Sequence, residues 1–302
     1  MVYVLFLVLL VLIFAGYILK RTIIKSETFW HRINNLLYYI LLPILFIGEI
    51  SKSNLENIAY GNLIIIVLLA LSIMTLLLFG IKKMFRIEGA KFTSVFQGVI
   101  RYNSYILIGV YTVIMPQNGI LLFSILSIFL LIFTNTLSVM VLELYCSKNK
   151  PSLLSFILGN FKNPLILSIL IGLLFRLFHI EFPEKVNQEL IPLAKVTIVL
   201  SLLIIGAGLR IEDLRKNKLL LIGTSFLKLI LLPIIAIILL QFFDVDKTIK
   251  TAIIIFCTSP CAFNSYILSK QMNGDAELMA SIILVVTFAS IITMPIFITL
   301  AL

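Results

Sequence analysis

Thr258-Ser259-Pro260-Cys261-Ala262-Phe263-Asn264-Ser265-Tyr266-Ile267-Leu268 lies inside a long apolar segment, yet it carries a proline and an asparagine four residues apart. A proline within a helix removes one backbone hydrogen bond and clashes with the carbonyl four residues back. In lipid such a defect is tolerated only where protein or a water-filled cavity covers it. A near copy, Tyr102-Asn103-Ser104-Tyr105-Ile106-Leu107, stands 161 residues earlier. Five of its six residues are identical to those of Phe263 to Leu268. Matched, polar-interrupted apolar segments in corresponding halves of a chain are the sequence pattern of a transporter's binding site.

The surroundings of both copies are those of a membrane protein. Of 302 residues, 61% are hydrophobic and only 13% charged, and the mean hydropathy is +1.15. Soluble domains run about 45–50% apolar and about 25% charged. The net charge of +10 does not point to nucleic acid, because the basic residues fall in short loops between apolar spans. A spanning helix needs roughly 20 mostly apolar residues. On that basis there are ten candidates, at 2–19, 35–51, 61–81, 93–115, 119–143, 153–178, 189–209, 218–242, 249–269 and 277–301. The first has its positive charges after it (Lys20, Arg21, Lys25) and reads as a spanning helix, not a cleaved signal.

Sixteen Lys and Arg lie in the loops after the odd-numbered spans, against five (Lys52, Arg176, Lys185, Lys247, Lys250) on the opposite side. That bias puts the odd loops in the cytoplasm and both termini outside. Five spans per half is an odd number, so the second half, 151–302, enters from the face opposite to the first, 1–150. The expected architecture is an all-α membrane protein of two inverted five-helix repeats, with the matched Asn-Ser-Tyr-Ile-Leu runs in the fourth and ninth spans.

Charge inside a bilayer costs at least ~2.5 kcal/mol, so each instance needs a reason. Arg101 lies two residues before Asn103. It either snorkels to the cytoplasmic surface or offers its fork to a carboxylate. Asn103 and Asn264 can donate and accept, and they either patch broken backbone or bind solute. Ser104 and Ser265 add neutral donors, Pro260 makes the ninth-span break, and helix ends exposed there favour anions. The predicted substrate site is therefore Arg101, Asn103, Ser104, Asn264 and Ser265, suited to a small anion. Lys228 sits about ten residues into the eighth span, and Glu49 and Glu143 fall at span ends. No Asp or Glu lies near the middle of any span, which argues against a carboxylate-based proton or cation route. Cys257 and Cys261 are one helical turn apart but have no third or fourth ligand nearby, so no metal is expected. Nothing in the chain calls for a cofactor. An intramembrane transferase would need clustered acids to hold magnesium, and these acids are scattered. A sensor that binds without flux remains an alternative class.

The chain resembles the auxin efflux carrier family in its bacterial branch, known as malate or malonate permeases. The resemblance is carried by residues 41–46 (Leu-Leu-Pro-Ile-Leu-Phe), Arg101 to Ser104 with Gly109, Asn163-Pro164-Leu165, residues 204–209, residues 227–233, and the run from Ser259 through Glu277. It implies ten transmembrane helices in two inverted five-helix repeats, with helices 4 and 9 broken and crossing at the membrane centre and a scaffold of helices 1, 2, 6 and 7. It implies a transport domain holding the crossing, elevator-like motion, and organic-anion substrates, chiefly mono- and dicarboxylates. Asn103 matches the family's crossing asparagine. Tyr102 departs from it, since plant relatives have proline there, so the fourth-span break must rest on Asn103, with Gly98 or Gly109 nearby. The expectation is a secondary transporter in a bacterial inner membrane, with room by analogy for a homodimer through the scaffold. The alternative is a cation-coupled symporter like the bile-acid/sodium carriers.

Overall fold

The computed structural model describes residues 2–52, 60–146, 163–180, 182–209, 214 and 216–301. Lys148, Lys150, Lys162, Arg210 and Arg215, part of the charge count above, lie outside these residues, as does the first part of the sixth predicted span. Among the described residues the chain is all helix. We number the helices α1 (Val2–Thr22), α2 (Glu27–Ser51), α3 (Tyr60–Phe85), α4 (Gly89–Ile100), α5 (Ser104–Ile114), α6 (Gly119–Cys146), α7 (Pro164–Leu177), α8 (Glu184–Gly208), α9 (Lys218–Leu239), α10 (Lys247–Cys257), α11 (Ser265–Gln271) and α12 (Ala276–Ala301).

Six of these, α2, α3, α6, α8, α9 and α12, are long and apolar enough to cross a membrane. Each coincides with a span expected from the sequence. The fourth and ninth expected spans are each two short helices, α4 with α5 and α10 with α11, so neither piece has spanning length alone. The first expected span corresponds to α1, and the sixth is seen from Pro164 onward as α7.

Side-chain caps explain where several helices start. Ser26 Oγ accepts from the Phe29 amide before α2, and Asn163 Oδ1 from Leu165 before α7. Asp246 Oδ1 accepts from Ile249 before α10, and Asp275 Oδ1 from Leu278 before α12. Each satisfies a helix N–H that would otherwise have no partner.

Just before Pro43, α2 widens into a π-helical turn, Leu37–Leu41. The same turn recurs in α9 at Leu227–Leu231. Both run into Leu-Leu-Pro-Ile, at 41–44 and 231–234. Proline has no N–H and its ring crowds the carbonyl four residues back. A wider turn before it, closed by Leu42 N–H to the Leu37 carbonyl and Leu232 N–H to the Leu227 carbonyl, absorbs that clash without ending the helix. Tyr38 and Lys228 occupy the same, second position of the two turns.

Two tight helix pairings frame the molecule. α1 packs along α8, and the C-terminal half of α2 along α7. A methyl group on Gly16 would collide with the Leu203 carbonyl, and one on Gly206 with the Ile13 carbonyl, so at this crossing the backbones touch. Such close approach lets helices gain dispersion contacts where lipid removes any hydrophobic drive. The remaining helices pack around α4, α6 and α12.

Candidate functional site: a cavity where two broken helices meet

α4 ends at Ile100 because Arg101 turns extended, with φ −77° and ψ 153°. α5 begins under Asn103, whose Oδ1 accepts from the amides of Tyr105 (3.1 Å) and Ile106 (3.2 Å). The Asn103 N–H donates to the Pro260 carbonyl at 2.9 Å. The fourth-span break is thus completed by the ninth. Gly98 and Gly109, the other candidates for this break, lie within α4 and α5. In the ninth span the helix stops at Cys257 and resumes at Ser265, with Pro260 in the non-helical stretch.

Two further bonds hold the two broken spans together, and a third ties α4 to the residue that caps α12. Gln97 Nε2 donates to Ser269 Oγ at 2.9 Å, and Ser94 Oγ to the Asp275 carbonyl at 2.7 Å. The Tyr111 hydroxyl donates to the Ala252 carbonyl. The Tyr102 ring packs on Phe256 with centroids 4.9 Å apart. These contacts fix the crossing as one rigid unit, since a buried polar group left unpaired would cost about 1–3 kcal/mol.

A cavity of about 130 Å³ opens at the crossing. Drug-sized ligands occupy pockets of ~300–1,000 Å³, so this one matches a small solute. Arg101, Asn103, Ser104 and Asn264 line it, together with Tyr38, Asn135 and Asn163. No acidic side chain is among its described lining residues. The described ion pairs are Lys20–Glu27, Lys52–Glu49 and Lys91–Glu88; none involves Arg101, so among the described residues no carboxylate pairs with its guanidinium. Two helix N-termini, those of α5 and α7, also open onto it through their capping residues Asn103 and Asn163. Helix N-termini carry partial positive charge and favour anions. The Asn103 carboxamide is fully committed on its oxygen side, while its Nδ2 is buried with no partner. Both N–H groups of that nitrogen are therefore donors without a partner among the described residues.

The structure redistributes the predicted site. Arg101, Asn103, Ser104 and Asn264 come together, and Arg101 lines the cavity instead of reaching away from it. Ser265 does not line it: the residue is fully buried and its hydroxyl has no partner. The cause is that the two Asn-Ser-Tyr-Ile-Leu runs start differently. Asn103 is extended (φ −91°, ψ 99°) and caps α5, whereas Asn264 is helical (φ −66°, ψ −8°) and makes no side-chain cap. Helix-end amides are also less available than the sequence suggests, because Asn103 takes two of them.

Sequence reasoning missed Tyr38, Asn135 and Asn163 as wall residues. Asn135 is a polar residue deep within an apolar span, which is itself a signal. Asn163-Pro164 reads as an N-cap followed by proline at the first helical position. Tyr38 carries no such mark.

A helical bundle with several spanning helices and a polar cavity at crossed helix breaks is the build of a multi-pass, membrane-embedded transport protein. The family described as membrane transport protein, of auxin-efflux-carrier type, matches residues 1–298, and the chain belongs to it. A search of curated proteins finds no match.

Proposed function

We propose that the chain is a secondary transporter of a small organic anion, a carboxylate, working by alternating access in a bacterial inner membrane. The observation that carries this reading is the cavity, in which Arg101, Asn103 and Asn264 meet with no acidic side chain among the described lining residues. Arg101 compensates the carboxylate's charge, Asn103 Nδ2 and the Asn264 amide donate to its oxygens, and the α5 and α7 N-termini add to the positive potential.

In this reading the chain has ten spans in two inverted repeats, 1–150 and 151–302, with both termini outside. The paired α1 with α8 and α2 with α7 form a static scaffold. The crossing and the helices around it move as an elevator. The tight glycine contacts between α1 and α8 favour a rigid scaffold. Few polar ties bridge it to the crossing, the Tyr105 hydroxyl to Asn34 Oδ1 bond (2.8 Å) being one, and such a bond can break and re-form during motion.

The test is uptake of radiolabelled mono- and dicarboxylates into proteoliposomes by the wild type, Asn103→Ala and Asn264→Ala at equal protein load, with and without sodium. Wild-type uptake that both substitutions cut at least tenfold is the expected result. Unimpaired uptake by both removes the site, and uptake that requires sodium turns the reading to a cation-coupled symporter.

A further inference from the structure

Lys228 has no solvent exposure, and its ammonium has no hydrogen-bond partner among the described residues. It stands in the π turn of α9, which packs on α4 and α12. The groups within electrostatic range of it are the thiols of Cys261 and Cys257. The remaining charges on the elements around it are Lys218 on α9, Lys91 on α4, Lys247 and Lys250 on α10, and Glu277 on α12, all in the first turns of those helices. None of the described ion pairs includes Lys228.

An unpaired buried charge is costly, so such a side chain is stable in two settings: neutral, or charged with an anion held nearby. Cys261 is within electrostatic range of both Lys228 and Arg101, and the next three residues line the cavity. The stretch that begins at Cys261 is therefore shared between the surroundings of Lys228 and the wall of the cavity that holds Arg101.

Building on the proposed carboxylate site, we propose that Lys228 is the proton-carrying group of the transport cycle, so that one proton travels with each anion. The amine takes a proton from the side where the anion enters, forming an N–H bond. It releases that proton to water on the other side when the anion leaves. No electron transfer or leaving group is involved. Arg101 cannot serve, because its guanidinium does not deprotonate in proteins. No carboxyl group is among the described residues lining the cavity to take the role instead.

Linkage fixes the sign. If only the protonated form supports tight anion binding, affinity falls as pH rises. For one proton the limiting slope is tenfold per pH unit. In Lys228→Met the charge is absent, and in Lys228→Arg it is permanent. Both variants lose the slope, with Lys228→Arg binding well at every pH and guarding against a folding defect in Lys228→Met.

The experiment uses purified full-length protein in liposomes loaded with a pH-sensitive dye, with radiolabelled malate as the first probe and malonate and acetate beside it. Co-entry of about one proton per anion in the wild type, together with flat pH profiles and no proton entry for the two variants, is the expected result. Anion flux in the wild type without proton entry overturns the inference and leaves the carboxylate site standing. Proton entry retained by both variants assigns the proton to another group and also overturns it. Failure of the wild type to bind or move any of the three carboxylates overturns both this inference and the proposed function.

Discussion

Replacing Asn103 by aspartate separates the two jobs of this side chain. Its oxygen caps α5 by accepting from Tyr105 and Ile106, and its nitrogen is buried without a partner. Aspartate caps as well as asparagine, so the α5 N-terminus stays satisfied. The donor, however, is gone. A hydrogen bond to a charged group is worth about 1.5–3 kcal/mol, which is about 10- to 150-fold in affinity. A new negative charge in the cavity adds repulsion, partly balanced by Arg101. Asn103→Ala gives the contrasting outcome, leaving two helix amides uncapped at a cost of about 1 kcal/mol or more. The expected pattern is that Asn103→Asp melts within a few degrees of the wild type while carboxylate affinity drops at least tenfold. Asn103→Ala loses both stability and affinity. Thermal unfolding in detergent and equilibrium binding of radiolabelled malate read the two effects separately. Wild-type affinity in Asn103→Asp would refute the assignment of the leftover donor to substrate.

Arg101→Gln is expected to weaken carboxylate binding by tenfold or more, and Arg101→Lys by less, since lysine keeps the charge and loses the fork; binding titrations of the three proteins check this. Gly206→Val drives a side chain into the Ile13 carbonyl, and overpacking of this kind costs about 1–3 kcal/mol or more. A lowered unfolding temperature with α1 no longer protected from hydrogen exchange is the expected signature. Tyr111→Phe removes the bond to the Ala252 carbonyl and should lower stability by about 1 kcal/mol while leaving substrate affinity within twofold.

The ninth-span break was legible because Pro260 announces it. The fourth-span break has no proline, and it was legible only as the echo of the ninth. Its physical cause is partly tertiary, the Asn103 N–H to Pro260 carbonyl bond, which no local pattern encodes. The same echo misled at Ser265. Identical residues take different backbone angles in the two breaks, because one asparagine caps a helix and the other does not. The cavity wall was half visible. Arg101 and the two asparagines stand out as polar groups in apolar spans, and Asn135 does so too once the wall is known. Tyr38 reaches the site from the π turn before Pro43, and a turn of that width shifts which residues face inward. The depth of Lys228 was apparent from its place in α9. That its ammonium has no partner depends on packing from α4, α10 and α12 and could not be read from the chain.

Bromine gives the most direct view of whether a carboxylate sits at the crossing. Crystals grown with bromoacetate and measured at the bromine absorption edge should show an anomalous peak inside the cavity bounded by Arg101, Asn103 and Asn264, and no such peak for Asn103→Asp. A peak elsewhere with this cavity vacant, or an equal peak in the aspartate variant, would contradict the account.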